Sequence, residues 1–497
     1  MTSGDSSLTS PLGRRPVLIV WFRTDLRIDD NPALAEALEK GVVIPVYIHD
    51  PESEGVWRHG AASHWWLHQS LQELSKRLDS KKSRLILRQG DSLAELSKLI
   101  KETGAAAVYW NRRYEPAVIA RDKKIKETLK ETGVDAQSFN ANLLNEPWTI
   151  QTGGGTPFKV FTPYWNKCAA LGNPAEPKKE PAQIQAPAQW PSSVLIQALR
   201  LMPKIKRYEG MFESWKPGEM GARSELELFL NENAVNYLDG RDTPSIRATS
   251  RMSPYFHFGE ISPRRIWHEV QKKSAKNKIA GWIRQAEGFI RQIYWREFAY
   301  HLLYHFPATT DHPLREEFKK FEWKNDKKLL KAWQKGQTGY PIVDAGMREL
   351  WHTGWMHNRV RMIAASFLVK DLLVHWREGA RWFWDTLVDA DLANNTLGWQ
   401  WVAGCGADAA PYFRIFNPFT QGEKFDEKAA YVRKWVPEIA GLPDKWIHRP
   451  WEAPAEVLVA AQVQLGKDYP KPLVDHADAR LRALMLYDRL RQSKKQS

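Results

Sequence analysis

Two cysteines, Cys168 and Cys405, cannot make a disulfide framework in a chain of 497 residues, so a reducing compartment is expected, with the cytoplasm as default. No apolar run approaches the ~20 residues that a membrane span needs. The first residues, MTSGDSSLTSPLGRR, lack an apolar h-region and read as a short disordered lead rather than a signal peptide. No repeat of solenoid length recurs. Acidic residues are in deficit, 58 against 72 Lys and Arg, and the resulting formal charge of +14 implies an anionic partner, of which nucleic acid is the commonest. Aromatic surface, in contrast, is plentiful: 24 Trp and an aromatic share of 12%. In the second half cations alternate with rings, as at Arg247 and Arg251, Arg264 and Arg265 near Trp267, Arg359 and Arg361 after Trp355, and Arg414 beside Tyr412 and Phe413. That mix suits phosphate contacts around an exposed base.

A change of period divides the chain. From Pro16 to about Val134, short apolar runs alternate with amphipathic helices. Val17–Phe22, Val42–Ile48, Arg84–Arg88 and Ala105–Trp110 read as buried strands. One intervening helix carries Leu67, Leu71, Leu74 and Leu78, and another opens on the capping box Ser92-x-x-Glu95. Strands separated by helices mean right-handed crossovers, a parallel sheet and ligands at the strands' carboxyl ends. Residues 173–193 are too rich in proline for helix or strand and read as linker. From about Ser224 helical spacing takes over, as in Trp282–Phe306, Ile342–Leu350, Val360–Trp376 and Ala479–Leu490. The expected organisation is a doubly wound α/β domain at 16–138, an interdomain linker at 139–223 and an all-helical domain at 224–491.

The segment Asp385–Pro418 is too polar for simple core. Asp389, Asp391 and Asn395 can hydrogen-bond a polar heterocycle, Trp399 and Trp401 offer π-surfaces, and Arg414 offers a fixed cation. Three other patterns carry less. Gly404-Cys-Gly406 resembles a dinucleotide fingerprint but follows no strand, so a tight backbone approach is expected there. His301-x-x-x-His305 lacks a third ligand and is assigned to packing, with no metal. Gly153–Gly155 lacks the Lys-Ser/Thr of a phosphate loop and reads as a turn.

Several long ordered motifs occur in succession: WFRTDLRIDDNPAL, TSRMSPYFHFGEISP, WREF, TGYPIVDAGMREL, GWMHNRVRM, FLVKDLLVHWREG and the Asp385–Pro418 segment. On these, the chain from Val17 to Arg491 resembles the cryptochrome/photolyase family, and within it the cyclobutane pyrimidine dimer photolyases. HFGEIS, LREEFKKFEW and AGCGADAAPYF resemble the class III members and their plant-cryptochrome relatives. The resemblance implies an N-terminal α/β antenna domain and a helical domain that holds FAD, with light-driven electron transfer from FADH⁻ to a pyrimidine dimer flipped out of UV-damaged DNA.

Carried over by position, it places Tyr237, Thr249, Ser250, Arg251, Met252 and Ser253 on the FAD phosphates and nearby atoms. Residues alone allow an ordinary helix N-cap at this segment as well. Arg361, Asp389, Asp391 and Asn395 fall around the isoalloxazine, with Asn395 facing flavin N5. Trp295 and Trp401 match the walls for the flipped dimer, and Asn358 and Met362 match residues that contact it. Arg241, Arg296, Arg359 and Arg414 fall on the DNA side. Trp399, Trp376 and Trp323 match an indole chain that reduces oxidised flavin. Gln292 departs from the Glu common in dimer enzymes and resembles (6-4) photolyases, whereas Asn358 and Met362 point back to dimer repair. Glu115 sits where a carboxylate binds a methenyltetrahydrofolate antenna in related proteins. A monomer without membrane attachment is expected. The receptor alternative is a blue-light cryptochrome, against which the absence of a long tail after RLRQSKKQS is weighed, and a weaker alternative is a light-independent DNA-binding flavoprotein.

Overall fold

The computed structural model describes residues 15–206, 208–409 and 413–495; the expected N-terminal lead and Tyr412 lie outside these. Five parallel strands, β1 (Val17–Phe22), β2 (Val42–His49), β3 (Ile86–Gln89), β4 (Ala107–Asn111) and β5 (Asp135–Phe139), pair in the order β3-β2-β1-β4-β5. Helices α1 (Pro32–Lys40), α2 (Ala61–Ser80), α3 (Ser92–Thr103) and α4 (Pro116–Glu131) make the crossovers. Because helices cover both faces, β1, β2 and β4 are apolar along their length rather than alternating.

β5 escaped the sequence reading. Its sequence, DAQSF, is polar, as an edge strand half open to solvent permits, and only Ala136 is buried. The capping box on α3 is corrected too. Asp91 caps the helix, its Oδ1 accepting from Ala94 N at 2.9 Å, while Ser92 Oγ donates to Asp50 at 2.6 Å and Glu95 meets Lys98 Nζ at 2.6 Å. The first residue with a free carboxylate at the turn wins the cap.

The second half is helical, built on α5 (Trp282–His305), α6 (Pro341–Thr353), α7 (Asn358–Ser366), α8 (Trp376–Thr386), α9 (Leu392–Ala403) and α10 (His476–Lys495). The single helix expected at Val360–Trp376 is instead α7, a wide turn at Phe367–Asp371, and a break before α8. Leu373 there has φ +52°, and His375 Nδ1 caps α8 by accepting from Arg377 N at 3.1 Å. The break is hidden because Ile363–Val374 are all buried, so no exposed face marks where the helical period fails. His301 and His305 serve packing and backbone. Both rings reach the Pro147 carbonyl at 3.1 Å, and His301 Nε2 accepts from Phe158 N. Gly155 turns with φ +74°, and Gly406 packs where a Cβ would meet Gln400 Cβ at 2.8 Å.

The two halves are pinned together by the early motif FRTDLRIDDN. Arg27 donates to the carbonyls of Gly259 and Ala141 at 2.7 and 2.8 Å. Buried Asp30 accepts from Ser262 Oγ at 2.5 Å, Arg264 Nη2 at 3.1 Å and the Lys178 amide at 2.8 Å, and Asp29 pairs with Arg265 at 2.8 Å. Arg264 and Arg265, expected among the phosphate-facing cations, are therefore engaged inside the molecule. One apolar core runs through this junction, from Phe22 and Trp66 to Tyr255, Phe258 and Phe289.

Candidate functional site: a carboxylate floor ringed by indoles and cations

The centre of the helical half is Asp389, in the turn between α8 and α9. Its Oδ2 accepts from Ser253 Oγ at 2.6 Å and from Arg361 Nη2 at 2.8 Å, and Arg361 is held in turn by the Met356 carbonyl at 2.7 Å. Ser253 is exposed although Asp389 is buried, so this floor borders open space. Two residues on, Asp391 caps α9 by accepting from Asn394 N at 2.8 Å, and it also receives the Tyr300 hydroxyl. Asn395 Nδ2 donates to the Ala380 carbonyl at 3.1 Å, which fixes its amide between α8 and α9.

Thr249–Ser253 enters the site from one side. Ser250 Oγ accepts weakly from the Met252 amide, and Met252, buried, precedes the short helix Ser253–His257 with no side-chain cap, so the N-cap reading fails. Arg251 has φ +52°, and its guanidinium lies 4.0 Å from the Trp215 ring and 5.2 Å from Trp355. Burial lowers its pKa, and Arg247 adds to the effect. Tyr237 is packed against Phe229 and Phe289. Trp355 and Trp215 were missed as site residues; Trp355 stands in the GWMHN motif, but nothing in the order of residues shows that two edge-packed rings would form a corner for one cation.

Trp399 and Trp376 are buried and Trp323 is half-buried. His375 bridges the outer two, its ring 5.0 Å from Trp323 and 5.6 Å from Trp376. On the neighbouring helix Trp399 presses on Gly379, one turn beyond Trp376, where any Cβ would collide with the indole. Trp399 also meets Phe383 at 5.0 Å.

On the outer rim, half-buried Trp295 stacks on Phe161 at 3.7 Å, and Trp401 is half-buried. Asn358 is exposed at the start of α7, with Met362 one turn below. Arg414 is exposed over Phe416, Arg241 lies over Tyr237, and Arg359 is already paired with Asp242 at 2.9 Å. Gln292 Nε2 donates to the Gly288 carbonyl of its own helix at 3.3 Å. Arg296 does not belong on this rim. It is 8% exposed, donates to the Asn142 carbonyl at 2.7 Å and lies 4.7 Å from the Tyr300 ring.

Comparison with known proteins matches the pattern "DNA photolyase" at residues 18–183 and "FAD binding domain of DNA photolyase" at residues 289–489. A deoxyribodipyrimidine photo-lyase of Agrobacterium fabrum is 49% identical over 95% of this chain and 97% of its own length. The chain belongs to the DNA photolyase family. Cryptochrome-2 of Arabidopsis thaliana is 42% identical, covering 93% of this chain and 77% of that protein. The crystal structure of a bacterial class III photolyase from Agrobacterium tumefaciens superimposes with a TM-score of 0.93 at 48% identity, over 98% of this chain and 100% of that one.

The residues present fit the FAD of a photolyase. Asp389 Oδ1, on the floor itself, and Arg251 Nε are buried without a protein hydrogen-bond partner. Each such atom left unmatched costs about 1–3 kcal/mol, which a polar ligand seated against them would offset. A cation at Arg251 suits a diphosphate, and a free carboxylate oxygen on Asp389 suits a ring N–H. In the N-terminal α/β part, Glu115 is held by Arg113 at 2.8 Å and by the Tyr114 amide at 3.0 Å. Burial alone would raise its pKa, but Arg113 outweighs that and keeps it low. Among the described residues, no helix is long and apolar enough to cross a membrane.

Proposed function

We propose that this chain is a class III deoxyribodipyrimidine photo-lyase, which splits cyclobutane pyrimidine dimers in UV-damaged DNA under blue light. The near full-length match to a named photo-lyase carries the reading. When bound, reduced FAD supplies the photoexcited electron that opens the dimer and is afterwards returned. Arg251, with Tyr237, Thr249, Ser250, Met252 and Ser253, holds the phosphate side of the cofactor. Asp389, fixed by Arg361 and Ser253, and Asp391, fixed by the α9 amides, hold the ring. Asn395, oriented by Ala380, presents a neutral amide toward flavin N5, which adds no charge against an anionic ring.

The dimer enters between Trp295 and Trp401, against Asn358, Met362 and Gln292. Phe161 holds the Trp295 ring in place, so that wall is preorganised. Arg241, Arg359 and Arg414 take the flanking phosphates, and Trp399, Trp376 and Trp323 refill oxidised flavin with electrons. The antenna part is 16–138, the linker 139–223 and the catalytic part 224–491. A 5,10-methenyltetrahydrofolate antenna near Glu115 would meet an ion-paired carboxylate rather than a free one. We assign a monomer in the cytoplasm.

The test is illumination of reduced, FAD-loaded protein with oligonucleotides carrying either a cyclobutane dimer or a (6-4) product. Loss of the dimer alone is expected. Repair of the (6-4) product alone would move the assignment to that class. Persistence of both lesions would overturn repair and favour a cryptochrome receptor, a reading to which the likeness to cryptochrome-2 lends weight.

A further inference from the structure

A second set of rings starts at the carboxylate floor and shares no residue with the indole chain. Tyr300, on α5, gives its hydroxyl hydrogen to Asp391. Its ring is 5.8 Å from that of Tyr114, which stands at the end of β4 in the antenna domain yet is buried in the helical core. Tyr114 donates to Glu146 Oε2 at 2.8 Å, and its ring is 6.4 Å from Trp148. Trp148 is 38% exposed and carries Arg112 over its face. Thus two buried phenols in succession each point at a carboxylate, and the third ring reaches solvent.

The pairing of phenol with carboxylate is what sets this series apart from a packing contact. The Arg296 guanidinium lies 4.7 Å from the Tyr300 ring, so a ring that became a cation would be repelled at close range. A phenol that hands its proton to Asp391 as it loses an electron stays neutral, and the repulsion disappears. Asp391 is placed to receive it, since its existing partners besides Tyr300 are the Asn394 amide and side chain, with no arginine or lysine bonded to it. Burial and the neighbouring carboxylates hold both phenols protonated at rest.

We propose that Tyr300, Tyr114 and Trp148, with Asp391 and Glu146 as bases, form a proton-coupled electron route between the flavin site and the surface. The proposal rests on the FAD reading above. Tyr300 gives one electron to photoexcited oxidised flavin and its hydroxyl proton to Asp391. Tyr114 then gives an electron to the Tyr300 radical; Asp391 returns its proton to Tyr300, and the Tyr114 proton passes to Glu146. Trp148 gives an electron to the Tyr114 radical, Glu146 returns its proton, and the indole N–H proton leaves to water. A soluble thiol restores Trp148 by giving one electron and one proton. The net result is one electron delivered inward and one proton released outside.

FAD-loaded full-length protein carrying Trp399→Phe, which closes the indole chain at its inner end, is illuminated with blue light in the presence of thiol. Residual flavin reduction is expected, slower in D2O than in water, with the paramagnetic signature of a neutral tyrosyl radical in samples frozen under light. Adding Tyr114→Phe abolishes the residual reduction and the signal while flavin content is retained. Glu146→Gln, which keeps a hydrogen-bond acceptor but not a base, has the same effect. No residual reduction in Trp399→Phe, or residual reduction that survives Tyr114→Phe, overturns the route. Native protein that takes up no FAD would overturn the photolyase reading instead, before this route is tested.

Discussion

Asp389 Oδ2 is shared between a serine and an arginine, while its Oδ1 has no protein partner. Asp389→Ala removes a charged hydrogen bond worth about 1.5–3 kcal/mol and frees Arg361, so FAD retention should fall roughly 10- to 100-fold by that arithmetic. Flavin absorbance after gel filtration reads this directly, and full retention would displace Asp389 from the site. Glu260 makes a different statement. It is fully buried, accepts from Ser70 Oγ, Trp66 Nε1 and the Gly218 amide, and burial pushes its pKa up to about 8 despite those donors. A carboxyl whose folded pKa lies above its unfolded one stabilises the fold fully below the unfolded value near 4.5, and that contribution is lost as pH rises through about 8. The thermal midpoint should therefore drop between about pH 4.5 and pH 8 relative to Glu260→Gln, whose slope in this window is removed. Parallel pH profiles for the two proteins would contradict this.

The segment Phe22–Asn31 acts as a staple between the halves rather than as a ligand loop. Asp30 is its hub, and Asp30→Ala would leave Arg264 without its partner and the Lys178 amide and Ser262 hydroxyl without an acceptor. Removing one member of a buried charged pair costs about 3–5 kcal/mol. The expected result is a fall of that size in unfolding free energy by urea titration, with the α/β and helical parts losing their common transition. A variant as stable as the parent would show that the junction is held elsewhere. Among the helices, the break before α8 restarts the chain at Trp376, and one turn on Gly379 admits the Trp399 ring from α9. Gly379→Ala would drive that indole out of place.

The whole molecule carries +14, yet Arg247, Arg264, Arg265, Arg348 and Arg361 of the helical half are paired with carboxylates. Arg414 is exposed with its guanidinium over Phe416, while Arg359 faces Asp242. If both meet phosphate, neutralising Arg414 should flatten the log-log dependence of DNA affinity on salt by roughly one unit. Neutralising Arg359 should flatten it less, because Asp242 is released on binding and offsets part of the gain. An unchanged slope for Arg414→Gln would take it out of the interface.

Strand and helix periods were legible because burial on both faces of a parallel sheet, or on one stripe of a helix, leaves a local repeat in the chain, and the proline-rich stretch 173–193 holds neither helix nor strand. The polar edge strand β5 left no such repeat, and a break within uniformly buried residues left none at Leu373. Residue types suited to a planar cofactor could be named in advance. Their partners could not: Arg251 in the corner made by Trp215 and Trp355, Arg296 turned inward to Asn142, and Tyr114 carried from the α/β half into the core of the helical half are products of packing between segments far apart in sequence. Order along the chain determines what each side chain offers, and only the closing of the two halves on each other decides which offer is taken.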